Sequence, residues 1–240
     1  MKLVFCKGKI QKKGKISIFY PFLGDFTLYL NNMANSTPEI DGLEGIIIRL
    51  FAYRDSDLIV RIISPTSGKT SLFAPRARKG GGNKANSSID ILDWGIFETR
   101  VGKGDLPILK SFRPRSSFPR IREDFEKLLL ATLICEAFDV GLPEDAYGDN
   151  KTIFTNVLST LNKIDSASSI KDALRATYFL ITDLLKENGI LDSVTAPSSH
   201  ALLRHLKQLE QYSGRTITTK EQLSLVFEQL KREIKNNPPD

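Results

Sequence analysis

A cation and two aromatic residues alternate along one short apolar run, and together they suit the binding of a polyanion. Under the two-residue period of a β-strand, Arg49, Phe51 and Tyr53 share one face with Ile47. In the next apolar run, Arg61 lies between two isoleucines on one face and is placed to join the same surface. Proteins that bind single-stranded nucleic acid use cations for phosphate and aromatic rings for base stacking. The pattern therefore predicts a nucleic-acid-binding face on two adjacent strands.

The opposite face of the first strand is apolar and is expected to fill the interior of a barrel. Its members are Ile46, Ile48, Leu50 and Ala52. A second interpretation of the aromatic face is that Phe51 and Tyr53 pack beneath a neighbouring domain, since aromatic side chains dominate core and interface burial. The sequence leaves both interpretations open.

A basic, glycine-rich loop follows the third predicted strand and predicts a further contact with phosphate. Its cations flank three consecutive glycines at positions 80–82. Phosphate contacts dominate the affinity of proteins for nucleic acid. The candidate nucleic-acid-binding residues of this loop are Arg76, Arg78, Lys79 and Lys84.

Residues 67–70, Ser-Gly-Lys-Thr, resemble the end of a phosphate-binding P-loop. That motif requires a glycine five positions before Gly68, where Ile63 stands. The segment also lies between two predicted strands, whereas a P-loop opens a helix. We therefore predict a hairpin turn, and we expect Asp55 and Asp57 to shape the preceding turn rather than to bind a metal.

Histidine and cysteine are too few and too scattered to predict a metal or catalytic site. His200 and His205 lie five residues apart with no HExxH arrangement, and Cys6 and Cys135 are isolated. Nothing in the pattern favours a Cys–His nucleophile pair. We expect no cofactor, no small-molecule substrate and no enzymatic activity, the alternative being an enzyme whose site lies unrecognised in the helical half. Two distant cysteines fit a reducing compartment such as the cytoplasm.

Hydrophobic periodicity changes once along the chain and predicts two domains. Five short β-type runs joined by tight turns are typical of a small barrel, and the five-stranded OB-fold is one that binds oligonucleotides. Apolar residues then recur at helical spacing. The predicted strands are Glu44–Tyr53, Leu58–Ser64, Lys69–Ala74, Ile89–Val101 and Leu106–Phe112; the predicted helices are Ile121–Val140, Lys151–Lys163, Ile170–Asn188, Ser199–Tyr212 and a fifth from Thr218 to about Lys235. We therefore expect an α+β protein with an extension over residues 1–41, an OB-fold domain over 42–115 and an all-helical domain over 116–240.

Charge is unevenly distributed between the predicted domains. Residues 42–122 carry fifteen Lys and Arg against seven Asp and Glu, a net charge of +8. Residues 123–240 carry thirteen against eighteen, a net charge of −5. This asymmetry predicts that nucleic acid binds the barrel and that protein partners bind the helices.

The first 33 residues carry six lysines ahead of an apolar stretch at 16–30. Pro21 and Asp25 interrupt that stretch, and it is too short to span a bilayer. We expect either a translation start at Met33 or a basic tail, rather than a targeting signal.

Six segments, in order and with their spacing, resemble the bacterial DNA repair and recombination protein family RecO over roughly residues 42–140. They are Gly45–Arg49, Tyr53–Asp57, Ser67–Lys69, Ala74–Lys79, Gly102–Pro107 and Phe118–Asp124. The resemblance implies an N-terminal OB-fold joined to a helical domain and a non-enzymatic role in the bacterial cytosol, associated with the nucleoid. It also implies binding of single- and double-stranded DNA, annealing of complementary strands and help in loading the RecA recombinase onto DNA coated by single-strand binding protein. Many family members carry a four-cysteine zinc module, whereas residues 189–205 here contain no cysteine, so a version without a zinc finger is implied.

The resemblance further implies two protein partners, RecR and the acidic, apolar C-terminal tail of single-strand binding protein. A pocket for that tail needs a cation beside exposed apolar groups. The candidate cations are Lys186, Arg204 and Lys207, each with leucine neighbours. The alternative is that these are ordinary solvated helix charges. A general OB-fold RNA-binding protein is the competing function, because a cationic groove with aromatics accepts either nucleic acid.

Overall fold

The computed structural model describes residues 42–77, 89–102, 104–144, 149–191 and 196–236, with side chains described as far as residue 229. Every described residue belongs to one compact unit, Ile40–Asp240. The extension and the loop cations Arg78, Lys79 and Lys84 lie outside the described residues. Within the described part, no helix is both long and apolar enough to cross a membrane.

Five strands close into a barrel in the order β1-β2-β3-β5-β4. Neighbouring strands are antiparallel except for β3 and β5, which are parallel. This is the arrangement of an OB-fold, as the turn spacing predicted. The strands are β1 Leu43–Tyr53, β2 Asp57–Ser64, β3 Gly68–Ala74, β4 Trp94–Arg100 and β5 Ile108–Ser116.

A β-bulge at Ile48 decides which residues of β1 point into the barrel. The residues on either side of Ile48 pair with consecutive residues of β2, which leaves Ile48 without a cross-strand partner. Ile47 and Leu50 pack in the barrel core, whereas Ile46 and Ile48 pack with the helices. The prediction that placed Ile46 and Ile48 in the barrel interior was wrong, because one inserted residue breaks the two-residue period. Ala52, also predicted inside, is exposed.

Helices follow the barrel, and the first predicted helix is divided in two. Asp124 has an extended backbone and its carboxylate accepts from the backbone N–H groups of Glu126 and Lys127, so it caps a new helix instead of continuing the old one. The remaining four lie within a few residues of their predicted bounds. The helices are α1 Pro119–Glu123, α2 Phe125–Gly141, α3 Asn150–Ser166, α4 Ile170–Glu187, α5 Ser199–Ser213 and α6 Thr219–Asn236.

Strand β4 begins later than predicted because residues 90–93 form a turn held from outside the barrel. Asp93 accepts from the backbone N–H of Asp90, and the Arg122 guanidinium on α1 bonds to both carboxylates and to the carbonyl of Ile91. Arg122 therefore holds the turn that precedes β4 against α1. Strand β5 in turn runs to Ser116 instead of ending at Phe112.

Two apolar clusters hold this unit together. The smaller cluster fills the barrel and includes Ile47, Phe97 and Phe112. The rings of Phe97 and Phe112 stack with their centroids 4.6 Å apart. The larger joins the helices and also takes in Ile46, Ile48, Ile63 and Leu92 from the barrel side. Strand β5 ends at Ser116, and the larger apolar cluster contains residues from both sides of that point.

Candidate nucleic-acid interface

The predicted cations of the barrel meet at one point on its outer surface. Arg49 on β1 and Arg61 on β2 are direct cross-strand partners. Their guanidinium carbons lie 5.1 Å and 5.0 Å from the ring centre of Phe51, so two cations flank one half-buried aromatic ring. Cation–π contacts of this kind stabilise the arrangement by about 0.5–1 kcal/mol each at exposed sites.

Like charges directly opposite each other on two strands are destabilising, and here a buried carboxylate compensates for them. Arg49 Nη1 lies 2.8 Å from Asp139 Oδ2, and Arg61 Nη1 lies 2.6 Å from Asp139 Oδ1. Asp139 belongs to the last turn of α2, and its side chain is 0% exposed. The carboxylate thereby ties the helices to the barrel surface.

Two further cations bind the same end of α2. Arg215, just beyond α5, donates from Nη2 to Asp139 Oδ2 and from Nη1 to the Asp139 carbonyl oxygen at 2.8 and 2.9 Å. Lys69 Nζ donates to that carbonyl at 2.9 Å and to the carbonyl of Leu142. These donors satisfy carbonyl groups that the end of a helix leaves unpaired, and cations there complement the helix dipole.

Burial and neighbouring charges shift the pKa values of Asp139 and Lys69. Burial opposes ionisation of Asp139, but the hydrogen bonds and charge of Arg61, Arg49 and Arg215 outweigh it, so the pKa of the carboxyl is lowered from 3.8. Burial lowers the pKa of Lys69 from 10.5, against the attraction of Glu144 and Asp139. We call this group the Asp139 cluster: Arg49, Arg61, Lys69, Asp139, Glu144 and Arg215.

Exposure divides the cluster into an inner and an outer part. The side chains of Arg61 and Lys69 are 16% and 3% exposed, whereas those of Arg49 and Arg215 are 41% and 42% exposed. Among the described residues of the cluster, four cations face two carboxylates, which leaves an excess of positive charge. Arg49 and Arg215 are therefore the members that can meet an anion from solution.

Lys69 reaches the cluster through the hairpin turn between β2 and β3. Gly68 has φ of +62°, and a Cβ there would lie 2.7 Å from Oδ1 of Asn150, at the start of α3. The turn thus presses against the helices, and only glycine fits both the backbone angle and the contact. The predicted hairpin turn occupies residues 65–67, and the P-loop-like residues from Gly68 onward begin β3 rather than a helix.

An aromatic strip continues from the cluster along β1. Tyr53 is 40% exposed and meets Phe73 of β3 edge to face, with ring centroids 5.8 Å apart. The guanidinium of Arg54 lies 5.1 Å from the Tyr53 ring centre. Exposed Arg76 lies beyond the end of β3, where its backbone N–H donates to Asp57. The barrel therefore presents cations beside an accessible aromatic ring, the combination that binds phosphate and stacks bases.

Comparison with known proteins identifies this barrel. Residues 42–118 match the family model described as "Recombination protein O N terminal". Residues 42–118 are therefore similar to the N-terminal part of recombination protein O. This confirms the resemblance found in the sequence.

Over a longer part of this chain than residues 42–118, the similar proteins are named DNA repair protein RecO. That of Roseiflexus sp. (strain RS-1) is 30% identical over 142 residues, which cover 59% of this chain and 48% of the relative. Those of Desulfatibacillum aliphaticivorans and Clostridium perfringens are each 28% identical, over 57% and 60% of this chain and 52% and 56% of the relative. The matched part thus spans about half the length of these RecO proteins.

The helical cations predicted to hold a partner's tail lie at the surface, but their leucine neighbours do not. Lys186 on α4 and Arg204 and Lys207 on α5 are exposed. Lys186 Nζ lies 4.0 Å from Asp183 Oδ1. The neighbouring leucines at 184, 185, 202 and 206 are at most 2% exposed, and the one at 203 is partly buried. The apolar half of the expected pocket is therefore not supplied by these leucines.

Cys135 and His205 lie in the helical core, whereas His200 is exposed and Cys6 lies outside the described residues. Cys135 is buried, and desolvation raises the pKa of its thiol to about 12. His205 is buried beside Thr182 and stacks on Tyr178 at 5.1 Å, and burial lowers the pKa of its imidazole from 6.5. Among the described residues, no three His, Cys, Asp or Glu side chains are grouped so that they could hold a metal.

Arg215, Phe73 and Arg54 were not predicted as site residues. Phe73 alternates with the buried Leu72 and Ala74, a signal that places it on the outer face. Arg54 directly follows the predicted strip. No local signal points to Arg215, because its partner Asp139 lies 76 residues earlier in the chain.

Proposed function

We propose that this chain is a non-enzymatic mediator of DNA repair and homologous recombination that binds single- and double-stranded DNA and anneals complementary strands. It helps load the RecA recombinase onto DNA coated by single-strand binding protein, with RecR as a partner. The observation that carries the proposal is the match of residues 42–118 to the RecO N-terminal family. The exposed side chains of Arg49 and Tyr53 on β1 of that barrel support it.

Binding by this face rests on two complementary contacts. Arg49 keeps one guanidinium edge in solution while Asp139 holds the other, so it meets a phosphate without a large loss of side-chain freedom. Tyr53 is backed by Phe73 and offers its exposed side to a base. Stacking of a base on an aromatic side chain contributes about 1–3 kcal/mol. Neither contact reads base identity, which suits a protein that binds DNA of any sequence.

The test uses the full chain and a matched pair of double variants. Arg49→Ala/Tyr53→Ala removes the cation and the ring from the barrel. Arg175→Ala/Phe179→Ala removes a similar pair from α4, where the guanidinium lies 5.8 Å from the ring centre and Phe179 is 40% exposed. Fluorescence anisotropy with a labelled oligothymidine should show a loss of about tenfold or more for the barrel variant. The α4 variant should bind like the parent chain.

The same titration with RNA of equal length separates the competing function. The parent chain should bind DNA at least as tightly as RNA and should accelerate annealing of complementary DNA oligonucleotides. Tighter RNA binding without DNA annealing would instead support a general RNA-binding protein. Equal losses in the two double variants would place the DNA site elsewhere.

The basic loop is proposed to add affinity without sequence preference. Its residues Arg78, Lys79 and Lys84 lie outside the described residues, and Arg76 is exposed at its start. Replacing all four with Ala should weaken binding to every sequence alike. The slope of log affinity against log salt for single strands should shrink by about 0.7 per lost contact. An unchanged slope would remove the loop from the proposed site.

The mediator step is tested separately from binding. Single-stranded DNA coated with single-strand binding protein delays the DNA-dependent ATPase of RecA, and the full chain together with RecR should shorten that delay. The Arg49→Ala/Tyr53→Ala variant should not. A delay that this chain leaves unchanged would restrict the proposal to DNA binding and annealing.

Tail binding remains a proposal for Lys186, Arg204 and Lys207. Because their leucine neighbours are buried, we compare them with Arg175, an exposed cation beside the exposed ring of Phe179. A labelled acidic, apolar tail peptide is titrated against the full chain, Arg204→Glu and Arg175→Glu. Weaker binding by Arg204→Glu alone supports the predicted cations. Weaker binding by Arg175→Glu alone moves the pocket to α4.

A further inference from the structure

The outer face of β5 is a second cationic surface of the barrel, on a strand pair different from the one that carries Arg49 and Arg61. Arg113 and Arg115 have side chains that are 67% and 51% exposed, and Lys110 is exposed on the same strand. Lys110 and Arg115 are separated by about 16 Å at the usual rise of ~3.3 Å per residue. The face is therefore long enough to follow a phosphate backbone rather than a single anion.

Two β-bulges add cations to this face. Glu98 pairs with Ser111 and Thr99 with Leu109, which leaves Lys110 as the inserted residue. Trp94 pairs with Ser116 and the next residue of β4 with Pro114, which leaves Arg115 as the second insertion. Bulges re-aim side chains, and both of these bulged residues are cations. Leu109 and Phe112 keep their places in the barrel core, so the insertions leave the interior intact.

The two arginines of this face each lie beside an acidic residue. Arg113 lies 2.9 Å from Glu98, and Arg115 lies 2.9 Å from Glu44. Exposed ion pairs of this kind contribute about 1 kcal/mol or less, so a phosphate group can replace the carboxylate as a partner. Arg115 also lies over the partly buried ring of Trp94 at 5.7 Å, which holds its guanidinium near the sheet.

We propose that the β5 face, Lys110, Arg113 and Arg115, binds the phosphate backbone of a second nucleic-acid strand. This inference rests on the proposed function, which assigns the first strand to the Arg49–Tyr53 face. Charge complementarity identifies the occupant, because three cations along one strand match a linear polyanion. Binding two strands to one chain raises the effective concentration of each strand near the other, which favours their annealing.

The experiment compares two triple variants of the full chain that remove equal charge. Lys110→Ala/Arg113→Ala/Arg115→Ala changes the β5 face. Lys151→Ala/Lys163→Ala/Lys171→Ala changes exposed lysines on α3 and α4. Native mass spectrometry counts single chains carrying two non-complementary oligonucleotides, and anisotropy measures binding of the first and of the second. Because Arg115 touches Trp94, the double variant Lys110→Ala/Arg113→Ala is measured as well.

We expect the β5 variant to bind a first oligonucleotide within about threefold of the lysine control and a second one about tenfold or more weakly. Annealing of complementary strands should slow by a similar factor, and the salt slope of the second binding step should fall by about 0.7 per lost contact. Second-strand binding and annealing equal to the control would overturn the inference while leaving the proposed function standing. Competition by an acidic peptide for the β5 face, with second-strand binding unchanged, would also overturn it. A parent chain that binds no nucleic acid would refute the proposed function itself.

Discussion

Arg49 and Arg61 lie directly opposite each other on antiparallel strands, and each donates to a different oxygen of the same buried carboxylate, that of Asp139. The pair therefore acts as a bridge between the barrel surface and the end of α2. Arg61 is mostly buried in this bridge, whereas Arg49 keeps part of its guanidinium in solution. The two residues share one predicted face, and the structure gives them different exposure.

Removing the carboxylate at the centre of the cluster should be costly. In Asp139→Ala, the mostly buried Arg61 loses its nearest carboxylate, and removing one partner of a buried ion pair costs about 3–5 kcal/mol. Urea unfolding followed by circular dichroism measures the loss in free energy of unfolding. Glu144→Ala is the matched control, because that carboxylate is 54% exposed and its loss should cost about 1 kcal/mol or less. Equal effects of the two changes would mean that Asp139 does not hold the cluster together.

Acid should release the same interaction. The folded-state pKa of Asp139 is lowered from 3.8, so its contribution to stability is complete above that value and is lost as pH falls through the folded pKa. The free energy of unfolding of the parent chain should therefore fall below pH about 4. Asp139→Asn should be less stable at neutral pH and should show a shallower acid limb. Parallel acid limbs for both proteins would contradict the lowered pKa.

A second pH dependence should come from the helical core. Burial lowers the pKa of His205 from 6.5, so the unfolded chain binds a proton in a range where the folded chain does not. Stability should decrease as pH falls from about 6.5 towards the folded pKa and should level off below it. Melting temperatures at several pH values between about 8 and 5 measure this slope. His205→Gln should remove it, while exposed His200→Gln should retain it.

The turn that delivers Lys69 should tolerate no side chain. Gly68→Ala meets both a left-handed backbone, which costs about 1–2 kcal/mol for other residues, and the amide of Asn150. In the double variant with Asn150→Ala, the contact is relieved and only the backbone cost should remain. Chemical unfolding of the two single variants and the double variant gives the coupling. Strict additivity would show that the turn does not press against α3.

Much of the fold is predictable from periodicity because local patterns determine it. The five strands, their OB-type arrangement and the last four helices follow from alternation, turns and helical spacing. Ile48 and Asp124 are the informative failures. The bulge at Ile48 depends on the residues that pack against both faces of β1. The cap at Asp124 is not visible in the sequence because the helical apolar spacing continues across it.

The site was only partly predictable for the same reason. Arg49, Phe51 and Arg61 meet as the strand period requires, because their spacing is local. Their partner Asp139 is 90 residues from Arg49 and 78 from Arg61 in the sequence. It is one acidic residue in a helix whose surrounding residues are apolar. Only the packing of the helices against the barrel gives it a role, and a single sequence carries no signal of that packing.

Because of the inserted residue, β1 contributes to two apolar cores. Ile47 packs inside the barrel, while Ile46 and Ile48 are buried among the helices. Cutting the chain after β5 would leave Ile46, Ile48 and Ile63 bare on the outside of the barrel. Such a fragment would present an exposed apolar patch beside the proposed DNA-binding face and would tend to self-associate. A different domain fused to this barrel would therefore need an apolar surface that covers the same three isoleucines.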